Sequence, residues 1–148
     1  MSLEEWRFVI DTNLTGTFLS NRAVLNQMIG QKQGDIINFS SVSGRQGRAF
    51  DSAYCSTKFG IIGLSESLAE EVGGFGVRVQ TVLPDAVDTP LWDQNGPAAM
   101  RAPATLAPER VADFVCFLLE LPRDTYLLNP VVATFKGRRR RKKGGAGD

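Results

Sequence analysis

Three short, nearly continuous apolar runs constrain the fold of this chain more than any other feature: Asp35 to Ser40, Val77 to Leu83 and Val131 to Phe135. A strand with one face in water alternates apolar and polar residues. A strand covered on both faces does not, and such strands belong to parallel sheets flanked by helices. The intervening segments are long enough to be those helices. Ser2-Leu3-Glu4-Glu5 is a capping box, with Ser2 as N-cap and Glu5 at the third helical position. Trp6, Ile10, Leu14, Phe18, Leu25 and Met28 then form an apolar stripe on a helix over residues 3–29. A second helix spans about Ser52 to Val72. A third opens with Pro108 in its first turn and runs to Leu121, with Val111, Phe114, Val115 and Leu118 as its core face. Helical connections of this length imply right-handed parallel crossovers. The expected fold class is α/β, a partial doubly wound parallel sheet of about three strands with flanking helices.

Composition narrows the chemistry. Within 148 residues there is no histidine, which removes His-based triads and histidine acid/base catalysis. The two cysteines, Cys55 and Cys116, lie in helical segments without metal-type spacing, so no metal site is expected. No apolar run approaches the roughly 20 residues of a membrane helix, and Met1 precedes an acidic helix start, not a signal peptide. The expectation is a soluble protein of a reducing, cytoplasmic compartment, without a membrane partner. The net charge of +1 hides an asymmetry: residues 136–148 carry seven positive residues and one negative, leaving ten positive and fifteen negative on the body. This basic tail ends in Gly-rich sequence and reads as flexible. It has no interleaved aromatic residues, so nucleic-acid binding is not the expected function.

The segment that speaks of chemistry is Tyr54-Cys55-Ser56-Thr57-Lys58, with Ser41 thirteen residues before the tyrosine. Residues four apart on a helix share a face. A free tyrosine holds its proton to a pKa near ~10, and a nearby ammonium favours the phenolate. Ser41 lies where the first strand leaves the sheet, placed to donate to a carbonyl oxygen. YxxxK alone is a weak signal, since the two residues at that spacing usually make a solvated helix face. The context adds to it. Asn13-Leu14-Thr15-Gly16 precedes the first strand, Asn38-Phe39-Ser40-Ser41 ends it, and the strand from Val77 runs into Pro84-Asp85-Ala86-Val87-Asp88-Thr89-Pro90.

In that order and spacing the chain resembles the short-chain dehydrogenase/reductase family over about residues 3 to 135. The resemblance implies a Rossmann-like fold and hydride transfer between a nicotinamide cofactor, NAD or NADP, and a small-molecule carbonyl or secondary alcohol. It implies Tyr54 as general acid/base and Lys58 as the residue that lowers its pKa and holds the ribose hydroxyls. Ser41 would polarise the substrate carbonyl, and Asn13, at a helix irregularity, would support a water chain to Lys58. The turn with Pro84, Val87 and Thr89 would hold the nicotinamide carboxamide, and the region after it would cover the substrate, where Trp92 either contacts the bound molecule or, as tryptophans in loops more often do, fixes the loop to the core. It also implies homo-oligomers packed through the helices over 3–29 and 52–72. On the second of these, Ala53, Ser56, Gly60, Gly63 and Ser67 form a stripe of small residues.

Two departures stand out. The family usually has glycine after the proline of the nicotinamide turn, where this chain has Asp85. And no Thr-Gly-x-x-x-Gly-x-Gly segment is present to receive a pyrophosphate at a helix N-terminus. Gly73-Gly74 follows an acidic helix end and reads as a C-cap. Residues 1–135 are therefore expected to be the C-terminal portion of a Rossmann-like dehydrogenase domain, followed by the tail, and to bind cofactor negligibly on their own. The alternative expectation is a non-catalytic chain that acts as an interaction module with a full-length relative.

Overall fold

The structure, a computed structural model, describes residues 1–91 and 105–135. Trp92 and the basic tail at 136–148 lie outside the described residues. Helix α1 (Leu3–Ile10) opens with the expected capping box: the Ser2 hydroxyl accepts from the Glu5 N–H, and the Glu5 carboxylate accepts from the Ser2 N–H. Asp11–Thr15 form a turn of π-helix, after which α2 (Gly16–Gln31) continues the helical path. The interruption falls on Asn13, as the resemblance implied. Lys32 takes a left-handed conformation at the end of α2, and its N–H satisfies the Ile29 carbonyl.

Strand β1 (Gly34–Phe39) pairs in parallel with β2 (Val77–Pro84), Gly34 opposite Val77 and Phe39 opposite Val82. Between them lie a short 3-10 turn (Val42–Gly44) and α3 (Ser52–Val72). Helix α4 (Pro108–Glu120) carries its proline at the start and leads to β3 (Val131–Val132) beside β2. The sheet order is β1-β2-β3, all parallel. Beneath it Ile36, Leu68, Val72, Val77 and Val79 make a buried cluster against Leu25, Met28 and Ile29 of α2. Fully burying each such side chain contributes about 1.5–3 kcal/mol.

The third strand is shorter than expected. Val131 to Phe135 reads as a strand, but only Val131 and Val132 pair. The reason is β2, which ends at Pro84; the Asp85 N–H closes the ladder on Val132 O at 2.8 Å. Beyond it the chain turns away, and Val87 bridges to Leu106 instead. Gly73 does cap α3, yet the left-handed residue that ends the following 3-10 turn is Gly76.

One buried side chain joins these layers. Arg78 stands opposite Asp35 in the β1–β2 register, and its Nε donates to Asp35 Oδ1 at 2.7 Å. Its Nη1 donates to the carbonyls of Leu121, Pro122 and Thr125, and Nη2 to that of Leu118. The guanidinium thus binds the last carbonyls of α4, where the helix leaves acceptors without intrahelical partners. Arg123 reaches the same Asp35 from outside, with its side chain 46% exposed against 7% for Arg78. Without Arg78, Asp35 keeps Arg123 but the carbonyls of Leu118, Leu121, Pro122 and Thr125 lose their donor, at a cost of about 3–5 kcal/mol. Arg78→Met should therefore lower the free energy of urea unfolding by about that much, and Arg123→Ala by about 1 kcal/mol or less. Equal losses in the two variants would contradict this division.

Candidate active site

Parallel pairing brings the C-terminal ends of β1 and β2 to one edge of the sheet, the edge where open α/β folds bind ligands. Three of the sequence-predicted residues, Ser41, Tyr54 and Lys58, gather there. Ser41 leaves β1 as the N-cap of the 3-10 turn, and its Oγ accepts from the Ser43 N–H at 3.2 Å. Tyr54 and Lys58 occupy the first two turns of α3. The Ser41 side chain lies near enough to the Tyr54 phenol to favour its charged form. Lys58 sends its Nζ to the carbonyl of Phe39 at 3.0 Å and lies 5.5 Å from the centre of the Tyr54 ring.

The backing of the site is polar and close. Ser40 is buried, and its hydroxyl donates to the Lys58 carbonyl at 2.7 Å, tying the end of β1 to α3. Deeper in, Asn38 donates to Ser65 Oγ at 2.9 Å, and Ser65 donates to Ile61 O. Gly44 makes this approach feasible: a Cβ there would meet the Lys58 carbonyl at 2.8 Å and the Ile62 side chain at 2.9 Å. Sequence reading passed over this glycine.

The remaining candidates lie on adjoining elements. Pro84 ends β2, and Val87 is held by its bridge to Leu106, with Asp88 N and Ala86 O making the bonds. Thr89 is half-buried in the bend that follows. Asn13 sits within the π-turn, its carbonyl accepting from Thr17 Oγ1 at 2.7 Å, while neighbouring Leu14 packs on Gly60 of α3. Trp92, outside the described residues, has no placement. Among the described residues, no three His, Cys, Asp or Glu side chains cluster as metal ligands would.

Two features were not read from the sequence. Arg48 forms an ion pair with Asp85, Nη2 to Oδ1 3.7 Å, across the mouth of the site. Phe50, four residues before Tyr54, is almost wholly exposed and adopts φ 67°, a region that bulky residues rarely enter. Neither residue belongs to a motif, and loop geometry gave no signal in advance.

The electrostatics correct one expectation. Lys58 was expected to depress the Tyr54 pKa. Instead burial holds the phenol above its ordinary value, opposed by the Ser41 hydrogen bond and reinforced by Asp51 and Cys55; Arg48 pulls weakly downward. Lys58 is itself pushed below the usual lysine range by burial. Its ammonium is committed to a backbone carbonyl and stands over the ring rather than at the hydroxyl.

Hydroxyls and an ammonium at a strand-end cleft are a donor set suited to the ribose and amide end of a nicotinamide. Among the described residues, none forms a Gly-rich strand-to-helix turn suited to its pyrophosphate.

The family model for short chain dehydrogenases matches residues 1–99, and the chain belongs to that family. It is 37% identical over 131 residues to a 3-oxoacyl-[acyl-carrier-protein] reductase of Synechocystis sp., covering 86% of this chain and 53% of the relative. A solved 3-oxoacyl-[acyl-carrier protein] reductase of Brucella melitensis with bound NAD superposes with a TM-score of 0.71 at 34% identity, over 90% of this chain and 51% of that one. The closed form of a serine dehydrogenase complexed with NADP+ gives 0.80 at 28% identity, over 89% and 56%. The chain thus spans about half the length of the relatives it matches, and its open parallel sheet with flanking helices is Rossmann-like.

The direction found for Tyr54 has a direct check. With Tyr126→Phe leaving Tyr54 as the single tyrosine, carbon-13 NMR of the labelled phenol should show it titrating above pH 10. A midpoint below 10 would mean that Lys58 and Ser41 outweigh burial.

Proposed function

We propose that this segment is the catalytic part of an oxidoreductase that interconverts a small-molecule carbonyl and the corresponding secondary alcohol using NAD or NADP. The observation that carries the reading is the placement of Tyr54 and Lys58 one turn apart on α3, with the Lys58 ammonium 5.5 Å from the Tyr54 ring centre and bound to the end of β1, from which Ser41 follows. When bound, the nicotinamide supplies the hydride exchange with the carbonyl carbon. The residues of this chain handle the oxygen.

Ser41 donates to the carbonyl oxygen while its own oxygen is held by the Ser43 N–H, which fixes the direction of its proton. Tyr54, beside Ser41, delivers the proton as negative charge develops on that oxygen. Lys58, Tyr54 and the turn with Pro84, Val87 and Thr89 hold the nicotinamide and its ribose, and Asn13 supports the proton path to Lys58. Trp92 and the exposed ring of Phe50 contact the substrate. Known relatives bind NAD in one case and NADP+ in another, so family membership leaves both cofactors open to this chain.

The test uses these residues joined to a Gly-rich dinucleotide-binding half and follows nicotinamide absorbance with a panel of carbonyl substrates. Tyr54→Phe should reduce kcat by about 100-fold or more without changing the circular dichroism spectrum, because only the proton-bearing oxygen is lost. Lys58→Ala should raise the cofactor KM as well as lower kcat. A Tyr54→Phe enzyme with most of its turnover would sink the reading and leave the interaction-module alternative.

We also propose that the protein is a cytoplasmic homo-oligomer. No helix among the described residues is long and apolar enough to cross a membrane, and both cysteines are free thiols. The small-residue stripe divides in two. Gly60 is taken up by Leu14 within the chain, while a Cβ at Gly63 would meet nothing, so the outer face of α3 is open to close approach. Phe18 of α2 and Phe59 of α3 are each nearly half exposed. A two-fold contact would repeat such a surface twice. Light scattering should report a dimer or larger species at micromolar concentration, and Gly63→Arg should shift it towards monomer. A strict monomer that folds normally would count against this.

A further inference from the structure

The 3-10 turn that begins at Ser41 ends at Arg45. Ser41 is its N-cap and Arg45 its C-cap, with the Arg45 N–H donating to Val42 O at 3.1 Å. Within the turn, the Gly44 N–H donates to the Ser41 carbonyl at 2.8 Å and the Ser43 N–H to the Ser41 hydroxyl at 3.2 Å. The inner side of the turn rests on α3, where bare Gly44 faces the Lys58 carbonyl and the Ile62 side chain. From its far end the Arg45 Nη2 donates to the carbonyl of Asn129 at 2.7 Å, 84 residues away along the chain.

Asn129 is a fixed point. It is 8% exposed and takes φ 49°, a left-handed conformation that asparagine enters more readily than most residues. Its Nδ2 donates to Glu66 Oε1 on α3 at 2.6 Å. The next residue, Pro130, accepts from the Leu83 N–H of β2 at 2.9 Å. The carbonyl that holds Arg45 is thus tied both to the helix that carries Tyr54 and Lys58 and to the central strand of the sheet.

We infer that Arg45 is a positioning residue: through the Asn129 carbonyl it ties the turn carrying Ser41 to α3 and β2, and so fixes where the Ser41 hydroxyl stands relative to Tyr54. What that placement does in catalysis rests on the reading proposed above; the tie itself does not. Cutting it loosens one end of the turn. Tyr54 and Lys58 keep their places, because α3 and the bond from Lys58 to the Phe39 carbonyl do not involve Arg45. The consequence is therefore confined to Ser41.

The test uses these residues joined to a Gly-rich dinucleotide-binding half. Arg45→Ala truncates an exposed side chain, so the fold is not at stake. Amide hydrogen exchange, with neither cofactor nor substrate, reads the tie itself. Exchange at Ser43 and Gly44, the two amides bonded to Ser41, should speed up by about 10-fold, with the amides of Cys55 and Lys58 unchanged. Kinetics read the consequence. Arg45→Ala should lower kcat by about 10-fold and leave the cofactor KM as it was. In a Ser41→Ala background the same substitution should cost nothing further, because its effect passes through that hydroxyl. Unchanged exchange at Ser43 and Gly44 would overturn the placement. Equal losses of kcat in the two backgrounds, or a cofactor KM that rises with the loss, would reveal a general structural role and overturn the inference. If Tyr54→Phe keeps its turnover, the enzymatic reading fails by itself, and the exchange rates still decide whether Arg45 holds the turn.

Discussion

The arrangement depends first on a single buried guanidinium. Arg78 projects from the middle of the sheet and satisfies a carboxylate on β1 together with four carbonyls at and beyond the end of α4. A buried cation is tolerated only with such company. Here that company fixes two relations at once. Asp35 opposite Arg78 secures the register of β1 against β2, since a one-residue slip would leave both charges unpaired. The carbonyls secure where α4 ends and where the chain turns towards β3. Both relations lie upstream of the site, whose residues stand at the far ends of β1 and β2.

Between that hub and the site runs a line of uncharged polar contacts. Asn38, Ser40, Thr57 and Ser65 are all buried, and each makes a hydrogen bond. Two of these bonds, Asn38 to Ser65 and Ser40 to Lys58, do what apolar packing cannot: they set the separation and rotation of α3 relative to β1. A methyl-for-hydroxyl change at Ser40 would keep the volume almost unchanged and lose the bond to the Lys58 carbonyl. The helix turn that presents Tyr54 and Lys58 is thus held by direction-specific bonds on one side and by the bare face of Gly44 on the other.

Much of this was legible in the sequence, for identifiable reasons. Apolar runs bounded by helical periodicity gave the parallel strands, because burial on both faces leaves a compositional trace. The capping box at Ser2 and Glu5 appeared as written, because it is a purely local exchange of hydrogen bonds. The gathering of Ser41, Tyr54 and Lys58 followed from one strand end and one helix start. What was not legible involves distance along the chain. Arg78 meets carbonyls some forty residues away, and Arg48 meets Asp85 across two loops. The length of β3 was set by where its neighbour ends. The direction of the Tyr54 pKa depended on which atom the Lys58 ammonium binds, and spacing alone does not specify that.

That direction bears on how the site handles its proton. A phenol held above its ordinary pKa is almost wholly protonated at neutral pH, so the competent form for giving a proton to a developing alkoxide is the resting form. Removing a proton from an alcohol requires the rare phenolate, whose population rises tenfold per pH unit below the pKa. In the proposed reaction, alcohol oxidation would therefore climb with pH across the neutral range, while carbonyl reduction would stay nearly level. A cation at the hydroxyl would flatten the difference. Lys58 is bound to the Phe39 carbonyl and desolvated. Arg48 is shared with Asp85. The proton affinity of Tyr54 is thus governed first by burial, with Ser41 opposing it and Arg48 acting only weakly.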